Sequence, residues 1–172
     1  MKMFKKISTL SFAILFAACG SNTEKKEEKE IKLNSTPKVE ETKSAKEEGV
    51  TKVRLTGNDQ MKYNLSEIRV NAGDKVELTL EHVGKMSVET MGHNFVLLAQ
   101  GTNMQEFGAK AVEFKDNNYI PESTDNIIVH TKMLGGGEKT TITFDAPEKG
   151  EYDFICSFPG HLALMKGKFI VE

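Results

Sequence analysis

The sequence predicts an all-β fold, a sandwich or barrel of about eight strands. Three observations predict it: short runs rich in Val, Ile, Thr and Phe, turn-forming clusters between them, and apolar residues that alternate with polar ones.

In chain order the runs are VTKVRLTG (50–57), EIRV (67–70), KVELTLEH (75–82), HNFVLLA (93–99), NIIVHTK (126–132), TTITFDAP (140–147), EYDFIC (151–156) and KGKFIVE (166–172). NAGD, LGGGEK and PEKG punctuate them. In the third run Val76, Leu78 and Leu80 share one face and Glu77, Thr79 and Glu81 the other; in the seventh, Tyr152, Phe154 and Cys156 fall together. The stretch 101–125 breaks the pattern. MQEFGAKAVEF within it has helical spacing, so a short helix is expected as an insertion around 103–120 between two strands.

The first 49 residues do not belong to that domain. Residues 1–18 carry early lysines, an apolar run from Leu10 and the small residues Ala17 and Ala18 just before Cys19, the pattern of an export signal. LFAAC resembles the cleavage box of bacterial lipoproteins, which implies that Cys19 is lipidated; an ordinary secretory signal is the alternative. Residues 19–49 mix Lys and Glu with Ser and Thr, and Ile31, Leu33 and Val39 show no sustained period, so the stretch reads as a charged, flexible linker. About thirty such residues reach roughly 30 Å, enough to lift the domain at 50–172 clear of a lipid surface.

Charge narrows the partners. The chain has 23 basic and 25 acidic residues, and loss of Lys2, Lys5 and Lys6 with the signal leaves 20 against 25, a net charge of −5. Nucleic acid is excluded as a partner, since phosphate binding needs clustered positive charge.

CSFPGHLALMKG (156–167) places a thiol, an imidazole and a thioether, Cys156, His161 and Met165, within ten residues of loop. The only other cysteine is Cys19, so Cys156 stands unpaired in an oxidising compartment, where a metal is a protective occupant. Thiolate, thioether and imidazole suit copper in both its oxidation states better than magnesium, calcium or manganese. A trigonal copper site with a long thioether needs a second imidazole from His82, His93 or His130. His93 is the best candidate, because MGHNFVLL places it where a strand begins; Gly92 before it leaves room for a backbone carbonyl to approach the metal.

Beyond these donors, MGHN (91–94), VHTKMLGGGEKTTITFDAP (129–147), CSFPGHLALMKG and LTGNDQMKYNLSEIRV (55–70) closely resemble the azurins, blue copper proteins of the cupredoxin family, over essentially all of 50–172. The resemblance implies a cupredoxin-like Greek-key β-sandwich with a helical flap. It implies that His93, Cys156 and His161 bind one type 1 copper ion equatorially, with Met165 as the weak axial ligand and the Gly92 carbonyl as a distant fifth contact. It gives Asn94 the task of anchoring the ligand loop and the Phe158 amide that of donating to the Cys156 sulfur. The implied activity is one-electron transport between redox proteins, for which a cytochrome c, a copper nitrite reductase or a terminal oxidase are family partners, and not catalysis.

Two departures accompany the resemblance. The positions of the disulfide common in azurins hold Thr51 and Asp74, and Phe95 stands where many have tryptophan. Met91, Pro159, Leu162, Ala163 and Leu164 are expected around the His161 edge as an apolar docking patch for brief redox encounters. His82 has two readings, packing or modulation of the centre, and His130 is expected to face solvent. A copper carrier or store, a zinc site and a Cys156–His161 nucleophilic pair are the competing functions; the last lacks any group to orient the histidine.

Overall fold

A computed structural model describes residues 46–47, 49–122 and 125–172. The chain separates into two units, Met1–Glu40 and Glu41–Glu172, and every described residue lies in the second. The export signal, Cys19 and most of the linker lie outside the described residues. No helix among the described residues is long and apolar enough to cross a membrane.

The strands are β1 (Lys46–Glu47), β2 (Val50–Asn58), β3 (Lys62–Tyr63), β4 (Glu67–Val70), β5 (Lys75–His82), β6 (Val96–Leu98), β7 (Ile127–His130), β8 (Lys139–Asp145), β9 (Gly150–Ile155) and β10 (Lys166–Val171). Each of the eight expected runs supplies one; the additions are the two-residue strands β1 and β3. Strand β1 falls inside the stretch expected to be linker, because Gly49, at φ 79°, turns the chain so that Lys46 and Glu47 pair with Thr51 and Val50.

Two sheets result. One runs β1-β2-β5-β8, with β3 also on β2; the other runs β4-β10-β9-β6-β7. Strands β2 and β5 are parallel, in a register that opposes Val50 to Lys75 and Gly57 to His82. Strict alternation then fixes what faces inward: Thr51, Val53, Leu55 and Gly57 from β2, and Val76, Leu78, Leu80 and His82 from β5. From β9 the inward row is Tyr152 and Phe154, continued by Cys156 just past the strand. At one end of the sandwich these rows finish in a glycine, a histidine and a cysteine instead of aliphatic residues.

Between the sheets lies one core, in which Phe95, Phe154, Phe169, Leu55, Leu78 and Leu80 are fully buried. A second core sits on the outer face of β6. Helix α2 (Met104–Ala111) and the 3₁₀ helix Val112–Asn117 form the expected insertion and pack Phe107, Ala111 and Ile120 on Val96, Leu98 and Ile155. This explains why all three residues of β6 are buried when most strands here bury one face. Asn103 caps α2, accepting from the amides of Gln105 and Glu106.

Strand β6 starts three residues later than HNFVLLA suggests. The Phe95 carbonyl still accepts from the Thr131 amide at 2.9 Å, but the Phe95 amide donates to the Thr131 hydroxyl, also at 2.9 Å, so only one of the pair's two bonds is backbone to backbone, and His93 is left in an isolated bridge to Leu134. A one-turn helix, α1 (Val88–Met91), precedes it; the sequence reading had no element there.

Candidate metal centre

His93, Cys156 and His161 are buried, and one donor atom from each lies within 4.8 Å of the other two. Cys156 Sγ is 3.6 Å from His161 Nδ1 and 3.7 Å from the Gly92 carbonyl oxygen. Met165, fully buried, belongs to the same core cluster as Cys156. His130 is exposed and stands apart, as expected.

The sandwich holds each donor from both sides. His93 exchanges backbone hydrogen bonds with Leu134, at 3.0 and 2.8 Å. The loop from 156 to 165 is closed at its base by the Cys156 amide donating to the Met165 carbonyl at 2.9 Å. A 3₁₀ turn at His161–Ala163 lets the His161 carbonyl accept from the Leu164 and Met165 amides. Gly160, at φ 83°, makes the bend that precedes it.

Asn94 ties the two segments together. Its Oδ1 accepts from the Ser157 amide at 2.9 Å, and its Nδ2 donates to the Ser157 hydroxyl at 2.8 Å. The Asn94 and Phe158 amides both act on the Cys156 sulfur, favouring its thiolate. Burial outweighs them and pushes the thiol up to about 11. Without a metal the sulfur therefore keeps its proton at neutral pH, and a metal must displace it.

The imidazoles are shifted the other way. Burial, and secondarily the neighbouring His93 and His82, brings His161 down to about 4; burial also lowers His93. Both are neutral at pH 7, with lone pairs free for a cation. His93 Nε2 lies 2.9 Å from the Asn58 carbonyl, which can only accept, so Nε2 carries the proton and Nδ1 the lone pair. That Nδ1 is 2.9 Å from the Gly92 carbonyl oxygen, another acceptor. Two acceptors aimed at one buried space are repulsive alone and complementary to a cation. Imidazole, thiolate, thioether and carbonyl form a set that fits copper.

His82, expected either to pack or to modulate the centre, is buried and stacks on His93, ring centroids 4.1 Å apart. Other contributors escaped the sequence reading. The Tyr63 hydroxyl donates to the Asn94 carbonyl. Asp59 accepts from the Lys85 and Met86 amides, at 2.8 and 3.2 Å, and approaches His82 Nε2 to 4.0 Å. Gly57 was the legible signal, since glycine inside a strand marks a close approach: a Cβ there would sit 2.7 Å from His93 Cδ2.

Of the expected docking residues, Ala163 and Leu164 are exposed, Leu164 by 61%, while Met91 and Pro159 are half-buried. Leu162 differs. Its side chain packs into the second core, in the notch left by Gly108, where a Cβ would come within 2.7 Å of Leu162 Cδ2.

Residues 49–172 match the family model described as copper binding proteins, plastocyanin/azurin family. The chain belongs to that family. It is 40% identical to Azurin-1 of Alcaligenes xylosoxydans xylosoxydans over 119 residues, 67% of this chain and 92% of that one. It is 39% identical over 118 residues to Outer membrane protein H.8 of Neisseria meningitidis serogroup B, 66% of this chain and 63% of that protein. Among solved structures, reduced auracyanin from Roseiflexus castenholzii superposes with a TM-score of 0.64 at 30% identity, covering 70% of this chain and 96% of auracyanin. An azurin of Methylomonas sp. strain J gives the same score and identity. The protein is thus an azurin-like cupredoxin with one type 1 copper ion as its cofactor, and copper electron carriage is the work of the azurins it resembles.

Proposed function

We propose that this protein is a membrane-anchored one-electron carrier of the cell envelope, in which His93 Nδ1, Cys156 Sγ and His161 Nδ1 would hold the copper, with the Met165 sulfur and the Gly92 carbonyl as weaker donors. When bound, the copper ion supplies a Cu(I)/Cu(II) couple. The protein's part is to keep its donors still through the change of charge. The observation that supports this most directly is the convergence of the three donors within 4.8 Å in a buried site. The loop closure at 156 and 165, the Asn94–Ser157 pair and the His93–Leu134 bridge all resist movement of those donors. The Met165 thioether and the hydrogen bonds to the Cys156 sulfur would tune the potential.

Of the three donor residues only His161 keeps any exposure, 3%, and the apolar residues Pro159, Leu162, Ala163 and Leu164 of its loop, with Met91, are the surface proposed for a docking redox partner. Partners of the kinds expected, a cytochrome c, a copper nitrite reductase or a terminal oxidase, fit such a small transient contact.

The anchor rests on the lipoprotein-like box ending in Cys19 and on the charged stretch that follows it. That one relative is named an outer membrane protein agrees with an envelope location. Two measurements test the whole reading. Cu(II)-loaded protein should show intense visible absorption and a type 1 EPR spectrum, both lost in Cys156→Ser; a colourless loaded protein overturns it. Labelled fatty acid should be incorporated in cells, and not into Cys19→Ala.

A further inference from the structure

Asn118 and Tyr119, at the end of the insertion, are consecutive non-glycine residues in the left-handed region, with φ 54° and 58°. Asparagine tolerates that region and tyrosine does not. Strain of this sort persists only where the surroundings over-determine it, and it gathers at functional sites. The local framework here is tight. The Tyr119 amide donates to Phe114 O at 2.8 Å, Asn117 Nδ2 to Ile120 O at 2.7 Å, and the Ile120 amide to Asn117 O at 2.9 Å.

From this strained pair, three contacts reach three separate segments of the metal centre. The Asn118 carbonyl accepts from Asn94 Nδ2 at 3.2 Å. Asn118 Oδ1 accepts from the Met133 amide at 3.0 Å. The Tyr119 ring meets Phe158 edge-on, centroids 5.4 Å apart and planes at 68°. Each target adjoins a metal donor. Asn94 follows His93 and holds Ser157, the neighbour of Cys156. The Met133 side chain lies over Gly92, where a Cβ would be 2.9 Å from its sulfur. The Phe158 ring lies 4.6 Å from that of His161, and its amide acts on the Cys156 sulfur. A right-handed conformation at 118 would redirect both Asn118 oxygens, so the backbone strain and the contacts stand or fall together.

We propose that Asn118 and Tyr119 are positioning residues for the copper centre: the left-handed pair clamps the 92–94 segment, Met133 and the 156–165 loop in one mutual arrangement. The inference rests on the copper site proposed above and assigns the insertion a share in setting its geometry. Asn118→Ala removes the Oδ1 acceptor, and Tyr119→Leu removes the edge-on ring. Asn118→Asp keeps an acceptor and tolerates the left-handed region, and Tyr119→Phe keeps the ring.

The full chain, loaded with Cu(II), is the material for the test. Asn118→Ala and Tyr119→Leu should change the copper EPR hyperfine splitting and move the reduction potential, while Asn118→Asp and Tyr119→Phe retain the parent values. Variants that lose stability but keep the parent EPR and potential overturn the clamp. Metal-free protein gives an independent reading: in Asn118→Ala the Ser157 amide should exchange about tenfold faster or more. Unchanged exchange at Ser157 overturns the clamp as well. A parent chain with no type 1 spectrum refutes the copper reading alone, and the exchange measurement still decides the clamp.

Discussion

His82 and His93 stack face to face, ring planes inclined by 19° and centroids 4.1 Å apart, so the last inward residue of β5 forms the floor beneath one of the metal donors. The Gly84 amide donates to His82 Nδ1 at 3.1 Å, which assigns the proton to Nε2; Nε2 in turn donates to the Met91 carbonyl at 2.8 Å. His82 thereby pins the strand end to both the 83–87 segment and the residue before Gly92. His82→Leu leaves one donor and one acceptor without partners and should cost about 2 kcal/mol in equilibrium denaturation of metal-free protein. His82→Gln, which retains a donor and an acceptor, should cost less than half as much. Equal losses in the two variants would show that ring packing, not the pair of hydrogen bonds, is what matters.

Thr51 and Asp74 occupy the far end of the same strands, where the azurin resemblance places a disulfide. They are bonded to each other: the Thr51 hydroxyl donates to Asp74 Oδ2 at 2.6 Å, and both residues are buried. Asn71 Nδ2 donates to the same oxygen at 2.8 Å. A hydrogen bond thus joins the positions where the resemblance places the cross-link. Thr51→Val withdraws a donor from a buried carboxylate and should destabilise the domain by about 1–3 kcal/mol. Thr51→Cys with Asp74→Cys, oxidised, should raise stability by about 2–4 kcal/mol over its own reduced form, measured by denaturation with and without reductant. Failure of the pair to oxidise would mean that the backbones are set too far apart for the bond.

Much of this was readable in the letters, for a physical reason. Period-two alternation assigned Val76, Leu78 and Leu80 to one face, and the same count carried one step further reaches His82. Cys156, His161 and Met165 announced themselves because soft donors crowded into a loop have few other uses; His93 was the best of three histidines by its place at a strand start, and the azurin resemblance implied its role. What escaped was whatever depends on a backbone atom or on register. Asn58 serves through its carbonyl and Asn118 through a left-handed turn. Leu162 reads as surface in a loop and is drawn inward only because Gly108, far away in sequence, leaves a space.

Stability of the metal-free chain should depend on pH in two opposite limbs. Burial holds His161 at about 4 and lowers His93, whereas both titrate near 6.5 when exposed. Between those values the unfolded chain binds protons that the folded chain refuses, so stability climbs as pH rises from about 4 to about 6.5. Burial holds Cys156 at about 11 against 9.0 when exposed. Above pH 9 the unfolded chain releases a proton that the folded chain keeps, and stability falls toward pH 11. Each fully engaged group gives a slope of up to about 1.4 kcal/mol per pH unit. Urea denaturation of the metal-free chain at pH 5, 7.5 and 10 should find the middle value highest. Burial also raises Tyr63 well above its ordinary value, so Cys156→Ser should shrink the alkaline limb to the part Tyr63 supplies while keeping the acid one. An alkaline limb of undiminished size in Cys156→Ser would take it away from the thiol.

Gly57 offers the sharpest steric test of the centre. Its register partner is His82, and a Cβ added to it would lie 2.7 Å from His93 Cδ2, 3.2 Å from His93 Cγ and 3.2 Å from Met165 Cε. Neither neighbour has anywhere to go. His93 is fixed by the Asn58 carbonyl beside it, by the Leu134 bridge and by the His82 ring, and Met165 is fully buried. Overpacking of this kind costs about 1–3 kcal/mol, and here it falls on two residues of the copper site at once. Gly57→Ala should therefore lower the denaturation midpoint of the metal-free chain and also displace the Cu(II) EPR parameters from those of the parent. Gly73→Ala is the control. It sits at φ 81° with nothing within 4 Å of the added carbon, so its cost is backbone strain alone and the copper spectrum should stay as it was. If Gly57→Ala destabilised the fold yet left the spectrum unmoved, the imidazole of His93 would have found room to retreat, and the rigidity ascribed to its surroundings would be wrong.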